Sequence, residues 1–378
     1  MKRKLVCTRP LSFTRRIGIL ATFAILLLLS ATNSMAQDQA TIQKDSVQVE
    51  AFTLNSYKGD FKTWSWIPQT KFRVNGPIPS GSQLFVEFAV PGAPAWVKYD
   101  CKTQETQKGY WWAPECGGRD SIPEEKGITY TGPVSFAIKM RNELTGGGDV
   151  TLFTGKMKVA KVHSGEAGPN FVNHFDYYVD QDWNLPIGYV FLDPNDGVYG
   201  WKRPKLAFAL WKRGEVHGSF EPHLFKDGKE VGKMMYEGQP VSVPSCGTSE
   251  VEHNTTHIAN GQYVWTRMKC EFFSVFGWNK TDESNDTKFG RLHVLSENPG
   301  EYEMKILYKG RLVRSFKFSV TPEGKIVDNG IATNNKLGND RVIVPVQVLG
   351  DSDGPWDKNA WKTDAFYGNP LTGFTVGP

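Results

Sequence analysis

Short stretches of alternating apolar and polar residues recur along most of the chain. Residues 83–90, 134–140 and 302–308 are three such stretches, and they are rich in β-branched and aromatic side chains. Successive side chains of a β-strand point to opposite faces, so this alternation predicts strands that bury one face. Clusters of Gly, Pro, Asn and Asp separate the stretches. The pattern therefore predicts an all-β protein made of sandwiches or barrels.

The N-terminal segment has a different pattern. Residues 1–16 carry six Lys or Arg and no acid, residues 17–29 are almost wholly apolar, and Ser34-Met35-Ala36 is a small-x-small site. A basic start, an apolar core and a small-residue exit are typical of a secretory signal peptide, which we expect to span residues 1–36. The apolar run is shorter than the roughly 20 residues of a membrane-spanning helix. We therefore expect cleavage, no stable membrane span afterwards, and a secreted or periplasmic protein.

The remaining chain contains the same order of features twice. In each half, a strand region is followed by two cysteines and then by a hairpin. The hairpins are residues 132–140 with 151–159, and residues 300–306 with 313–320. This recurrence predicts two tandem β-sandwich domains and an internal duplication.

The predicted domain boundaries follow from composition. Residues 163–170 are rich in Gly and Pro, as linkers are, and residues 341–349 form an apolar run in which Pro345 favours an edge strand. The segment after it holds several large aromatic residues, so we expect it to dock onto a surface rather than to be a free linker. The boundaries are domain 1 at residues 45–162, the linker at 163–170, domain 2 at 171–328 and a C-terminal extension at 329–378.

The net charge changes sign once the signal segment is removed. The full chain of 378 residues has 44 Lys+Arg, 40 Asp+Glu and a formal charge of +4. The first 36 residues hold six of the basic residues and no acid, so 342 residues with a charge of −2 remain. Nucleic-acid binding needs a clustered basic face, and the sequence gives no reason to expect one.

The cysteines form two local pairs after Cys7 is removed with the signal segment. Four cysteines allow three connectivities. We favour Cys101 with Cys116 and Cys246 with Cys270, since each pair lies within one predicted domain and an exported protein can keep disulfides. A zinc site is the alternative, but neither pair has Cys-x-x-Cys spacing or a close His partner.

Few residues are candidates for binding, catalysis or metal coordination. Tyr110, Trp111 and Trp112 lie between the first two paired cysteines, where a disulfide-held loop could present them to a sugar or a protein partner. The paired carboxylates of Asp180 and Asp182 could serve hydrolysis only if the fold set them across a cleft. The sequence predicts no metal site and no cofactor, because it holds no complete ligand, nucleophile or phosphate-binding motif.

The strand pattern, local cysteine pairs and terminal hairpins resemble those of secreted proteins built from tandem immunoglobulin-like β-sandwich domains, over roughly residues 45–328. The resemblance implies an architecture and transfers no catalytic residue. We therefore expect an exported, non-catalytic binding or structural protein of the cell envelope or extracellular space. It would act through loop and tail surfaces on an envelope or extracellular protein. The alternatives are a carbohydrate-binding protein using the aromatic loop around Trp111, with a polysaccharide as partner, and a hydrolase with carboxylates assembled from distant loops.

Overall fold

The alternating stretches form antiparallel strands, and the chain is predominantly β, as the sequence predicts. All the elements below belong to one compact unit, Thr41–Pro378. The computed structural model describes residues 40–55, 63–107, 110–118, 122–144, 146–194, 204–214, 220–236, 239–241, 244–250, 261–263, 265–278, 292–337, 341–350 and 356–376. Within these ranges, only the backbone is described for residues 103–107, 110–115, 234–236, 239–241, 245, 248–250 and 262. The predicted signal segment lies outside these residues.

The first part of the chain forms one nine-stranded sheet, in the order β1-β3-β6-β5-β4-β7-β8-β9, with β2 also paired to β3. Its strands are β1 (Thr41–Ile42), β2 (Gln48–Leu54), β3 (Ser65–Asn75), β4 (Ser82–Val90), β5 (Ala93–Gln107), β6 (Tyr110–Gly117), β7 (Gly132–Asn142), β8 (Val150–His163) and β9 (Phe175–Val179).

This first sheet curls so that β2 and β9, at opposite ends of the strand order, contact each other. Strand β5 is long enough to pair with β4 through its first half and with β6 through its second half. Where β9 contacts β2, the Tyr177 backbone N–H donates to Thr53 Oγ1 over 3.0 Å. Tyr177 Oη also donates to the Trp64 carbonyl over 3.1 Å. Tyr177 and Thr53 are both buried at this contact.

The second part of the chain packs two sheets face to face. The larger has the order β16-β17-β11-β10-β21 with a short parallel strand, β18, beside β17, and the smaller has the order β13-β12-β19-β20-β22. Strands β14 and β15 pair only with each other. The bounds are β10 (Ile187–Asp193), β11 (Lys205–Arg213), β12 (Phe220–Lys226), β13 (Lys229–Val231), β14 (Met234–Tyr236), β15 (Gln239–Val241), β16 (Pro244–Glu250), β17 (Trp265–Phe276), β18 (His293–Val294), β19 (Gly300–Tyr308), β20 (Arg311–Val320), β21 (Val342–Pro345) and β22 (Gln347–Val348).

The core of this second part lies between its two sheets. Phe208 of the larger sheet packs against Phe316 of the smaller one, with ring centroids 5.5 Å apart, and both rings are buried. Alternate residues along β11 and along β19 fill the same cluster. The period-2 pattern thus supplies the apolar face that the sandwich buries.

Each expected cysteine pair lies at disulfide distance and joins directly opposite residues of two antiparallel strands. The sulfur atoms of Cys101 and Cys116, on β5 and β6, are 2.16 Å apart. Those of Cys246 and Cys270, on β16 and β17, are 2.10 Å apart. The segment between the first pair therefore forms two paired strands, β5 and β6, rather than the loop predicted from the sequence.

Strand pairing differs between the two halves although the order of features recurs. Both predicted hairpins are confirmed, as β7–β8 and β19–β20. In the first half, the hairpin shares a sheet with the cysteine strands through β4, whereas in the second half it lies in the opposite sheet. Strand β9 follows the expected linker and yet pairs with β8 of the first sheet.

The C-terminal extension contacts both halves. Strand β21 pairs with β10, and β22 pairs with β20, so the extension completes both sheets of the second part. Helix α1 (Ile331–Asn334) precedes these strands, and helix α2 (Ala360–Gly368) follows them. The Tyr367 hydroxyl then accepts a hydrogen bond from the Val49 backbone N–H, 2.8 Å away in the first sheet. Within the described residues, neither helix is long and apolar enough to cross a membrane.

Glu50 on β2 makes folding stability depend on pH. Burial raises its pKa from 4.5 to about 7, although nearby Lys71 opposes the shift. The folded state therefore binds the proton more tightly than the unfolded state, and stability falls as pH rises between these two values. We expect Glu50→Gln to remove a loss on the order of 1–2 kcal/mol between about pH 5 and about pH 8, measured by urea unfolding. Exposed Glu221→Gln is the control, and an unchanged slope in Glu50→Gln would contradict the assignment.

Candidate functional site

A groove of about 500 Å³ lies between two segments of the C-terminal extension, and Pro186 of the second part also lines it. We call it the C-terminal groove. One wall comes from the chain around β21 and β22, and the other comes from the start of α2 and the last described residues. Its lining residues are Pro186, Val346, Gln347, Val348, Trp356, Lys358, Asn359, Trp361, Lys362, Phe374, Thr375 and Val376.

The strand wall of the groove is rigid because its backbone is hydrogen-bonded into the sandwich. Between β21 and β22, the Val346 N–H donates to the Pro186 carbonyl over 2.8 Å. The Val346 side chain is buried in the core of the second part. Gln347 and Val348 pair with β20, and the Gln347 side chain remains exposed.

The helical wall is anchored by a buried carboxylate. Asp182 lies in the 3₁₀ helix Asp182–Asn184, and its Oδ1 accepts a hydrogen bond from Arg213 Nη1 over 2.6 Å. Its Oδ2 accepts from the Asp357 backbone N–H over 2.7 Å. Asp357 Oδ1 in turn accepts from the Asn359 N–H over 2.8 Å. These bonds position the residues just before α2, and with them Trp356 and Trp361.

Trp361 is held by two other aromatic rings. Its ring centroid lies 4.6 Å from that of Phe374 and 5.9 Å from that of Phe366. The chain near Phe374 is fastened by Asn335, whose side chain accepts from the Thr372 N–H and donates to the Thr372 carbonyl. Trp361 and Trp356 remain half-buried, so both indoles combine a packed part with an accessible part.

Polar groups of the groove are amides, one hydroxyl and two ammonium groups. Gln347, Asn359 and Thr375 are exposed along it, and so are Lys358 and Lys362. Among the described residues that line the groove there is no Asp, Glu, His or Cys. The described lining can therefore stack on an apolar face, form hydrogen bonds and attract negative charge.

A second cavity lies on the first-sheet side of α2. It measures about 440 Å³ and is bounded by β4, β7, β8 and the end of α2. Phe88, Phe136 and Tyr367 form its aromatic wall, and the Phe136 and Tyr367 ring centroids are 5.5 Å apart. Helix α2 thus contributes residues to both cavities.

A scan against protein-family models found no match, and a search of curated proteins found none either.

The predicted aromatic site falls on β6. The backbone of Tyr110, Trp111 and Trp112 pairs with β3 on one side and with β5 on the other. Their side chains lie outside the described part of the structure, so the stacking role predicted for them stays a prediction. None of the three is among the described residues that line the C-terminal groove.

The predicted carboxylate pair, Asp180 and Asp182, lies beside the helical wall. Asp182 is the buried anchor described above. Burial and the neighbouring carboxylate of Asp182 raise the pKa of Asp180 above its ordinary value. Across the described residues, no group of three or more His, Cys, Asp or Glu is placed to hold a metal ion.

The groove is not evident from the sequence, although the sequence contains one signal for it. The concentration of aromatic residues after Gly354 predicts that the extension docks, and Phe366 and Tyr367 are indeed buried. The groove also needs Pro186, which is far from Trp361 in sequence. No local pattern could have joined them.

Proposed function

We propose that this is an exported, non-catalytic carbohydrate-binding protein that takes a segment of a polysaccharide into the C-terminal groove. The observation that carries the proposal is the composition of the groove. Two half-buried indoles lie beside amide and hydroxyl groups, and the described lining residues include no Asp, Glu, His or Cys. Sugar rings offer an apolar face for stacking and hydroxyls for hydrogen bonds, which matches this combination.

The size and rigidity of the groove support the proposal. A volume of about 500 Å³ lies within the range of small-ligand sites, roughly 300–1,000 Å³. Trp361 is fixed by Phe366 and Phe374 before any ligand arrives. A pre-positioned ring loses little conformational freedom on binding, which favours affinity.

The two-domain architecture belongs to the same proposal. We interpret the halves as tandem immunoglobulin-like domains of an extracellular or envelope protein. The support is that each half has a cross-strand cysteine pair followed by a hairpin. Export is supported by the predicted signal segment and by the two cysteine pairs at disulfide distance, since disulfides persist in oxidising compartments.

The proposal predicts that removing an indole abolishes most of the binding. Trp361→Ala and Trp356→Ala should each weaken polysaccharide binding at least about fivefold, since stacking on an aromatic ring contributes about 1 kcal/mol or more. Trp361→Phe keeps an aromatic face and should lose less. Isothermal titration of the mature protein with a panel of neutral and acidic polysaccharides measures the change.

Thermal unfolding of each variant separates binding from folding. Trp361 packs on two rings, so its alanine variant also loses stability, whereas no ring contact is described for Trp356. If Trp356→Ala melts near the parent temperature and still binds every polysaccharide as the parent does, the groove is not the site. Binding that depends instead on Trp111 and Trp112 would favour the alternative site on β6.

A further inference from the structure

The lysines of the C-terminal groove suggest which polysaccharides it takes. We infer that the groove selects acidic polysaccharides, such as chains of uronic acids, through Lys358 and Lys362. The inference rests on the proposed function, because it names the ligand class of the same groove. It adds a charge preference that stacking on Trp356 and Trp361 does not provide.

Both lysines face the groove from the same wall as the indoles. Lys358 lies between Trp356 and the start of α2, and Lys362 directly follows Trp361. Both side chains line the groove, and both residues are exposed. Ammonium groups next to an aromatic platform can bind the carboxylate of a sugar whose ring stacks on the platform.

Asp357 and Asp364, the described acids of the same wall, are not among the described residues that line the groove. Asp357 Oδ1 accepts a hydrogen bond from the Asn359 N–H. The described lining therefore carries two positive charges and no negative one. An acidic ligand complements this charge, whereas a neutral glycan would use only the indoles and the amides.

A carboxylated sugar fits the groove better than an acidic peptide. The exposed polar groups are the side chains of Gln347, Asn359 and Thr375, which suit hydroxyls spaced along a sugar chain. A peptide bound as an added strand would need a row of free backbone groups. On the strand wall, the only residues in a described strand are Gln347 and Val348, and a two-residue strand offers a peptide too short a row of backbone groups.

The test compares one polymer with and without its charge. Polygalacturonate and its fully methyl-esterified form share a backbone and differ in the carboxylate. We expect the mature protein, titrated in the presence of EDTA at low salt, to bind the acidic form about five- to tenfold more tightly. This preference should shrink at about 0.5 M NaCl, where charges are screened beyond a few ångströms.

Two double variants assign the preference to the groove. Lys358→Gln with Lys362→Gln should bind both forms with the affinity that the parent has for the ester. Lys317→Gln with Lys325→Gln removes two exposed lysines elsewhere and should keep the parent preference. Thermal unfolding should be nearly unchanged in both, because all four side chains are exposed.

The outcomes separate the inference from the proposed function. Equal binding of the two forms, lost in Trp356→Ala, would overturn the charge preference and leave carbohydrate binding intact. An acidic preference that survives the Lys358 and Lys362 changes would also overturn the inference, since the charges would then act from another surface. Binding of neither form would overturn the inference, and the neutral polysaccharides of the panel would then decide the proposed function. Capture of an acidic peptide with higher affinity than polygalacturonate would overturn both.

Discussion

Replacing Tyr367 with alanine is expected to lower the free energy of unfolding by about 3–5 kcal/mol, the cost of truncating a large buried aromatic side chain. The Tyr367 ring packs edge-on against Phe136, with centroids 5.5 Å apart, and is 2% exposed. Its hydroxyl accepts from the Val49 N–H over 2.8 Å and from Gln181 Nε2 over 2.9 Å. Chemical denaturation of the mature protein measures the loss.

The cost should be large because Tyr367 joins the extension to the first sheet. Phe366 and Tyr367 have φ values of 47° and 60°, in the left-handed region that bulky residues avoid. Burial of their rings offsets this strain. Loss of the Tyr367 ring should therefore weaken the attachment of α2 to the first sheet. It should also reduce binding in the C-terminal groove, because α2 forms part of the helical wall.

Tyr367→Phe is the matched control for the ring. It keeps the packing but leaves the Val49 N–H without this acceptor, so a loss of about 1–3 kcal/mol is expected. A Tyr367→Ala variant as stable as the parent would mean that the extension does not dock in this way. Equal losses in the two variants would assign the effect to the hydroxyl rather than to the ring.

Gly155→Val is expected to destabilise the protein by about 3 kcal/mol, the upper end of the range for overpacked cores. Gly155 lies on β8, directly opposite Phe136 on β7. A Cβ atom at Gly155 would lie 2.3 Å from Phe136 Cε1. The Phe136 ring is stacked on Phe88 at 5.3 Å and is 4% exposed, so relieving the clash would disturb this stacking.

A double-mutant cycle tests this cause. Phe136→Leu removes the ring atoms that the new side chain would meet, so Gly155→Val should cost less in that background. Gly148→Val is the control, because a Cβ atom there has no neighbour within 4 Å, and it should change stability by no more than about 0.5 kcal/mol. Additive effects of the Gly155 and Phe136 changes would contradict the proposed clash.

The strands were the most predictable part of the fold. The stretch at residues 134–140 becomes β7, in which Val134, Phe136 and Ile138 are buried. The pairing of Cys101 with Cys116 was also predictable, because a tight hairpin brings nearby positions of one chain opposite each other. Both features depend on residues close together in sequence.

The candidate site was less predictable. The aromatic residues of the extension indicated that it docks, but the sequence did not indicate on which surface. Gly155 shows the same limit: its sequence neighbours predict a strand, and only the register of β7 against β8 explains why a side chain is excluded there. The equal order of features in the two halves also did not reveal that their strands pair differently.

By itself, the sequence determined the β-class of the protein, the positions of many strands and the local cysteine pairs. These properties follow from period-2 alternation and short loop closure, which act over a few residues. Only the tertiary structure decided the curl of the first sheet, the place of β9 and the C-terminal groove. Each of these requires contacts between distant residues, such as Val49 and Tyr367, which are 318 positions apart. The physical reason is that a strand exposes the same backbone hydrogen-bonding groups to every potential neighbour, so the choice of partner is made by the packing of the whole chain.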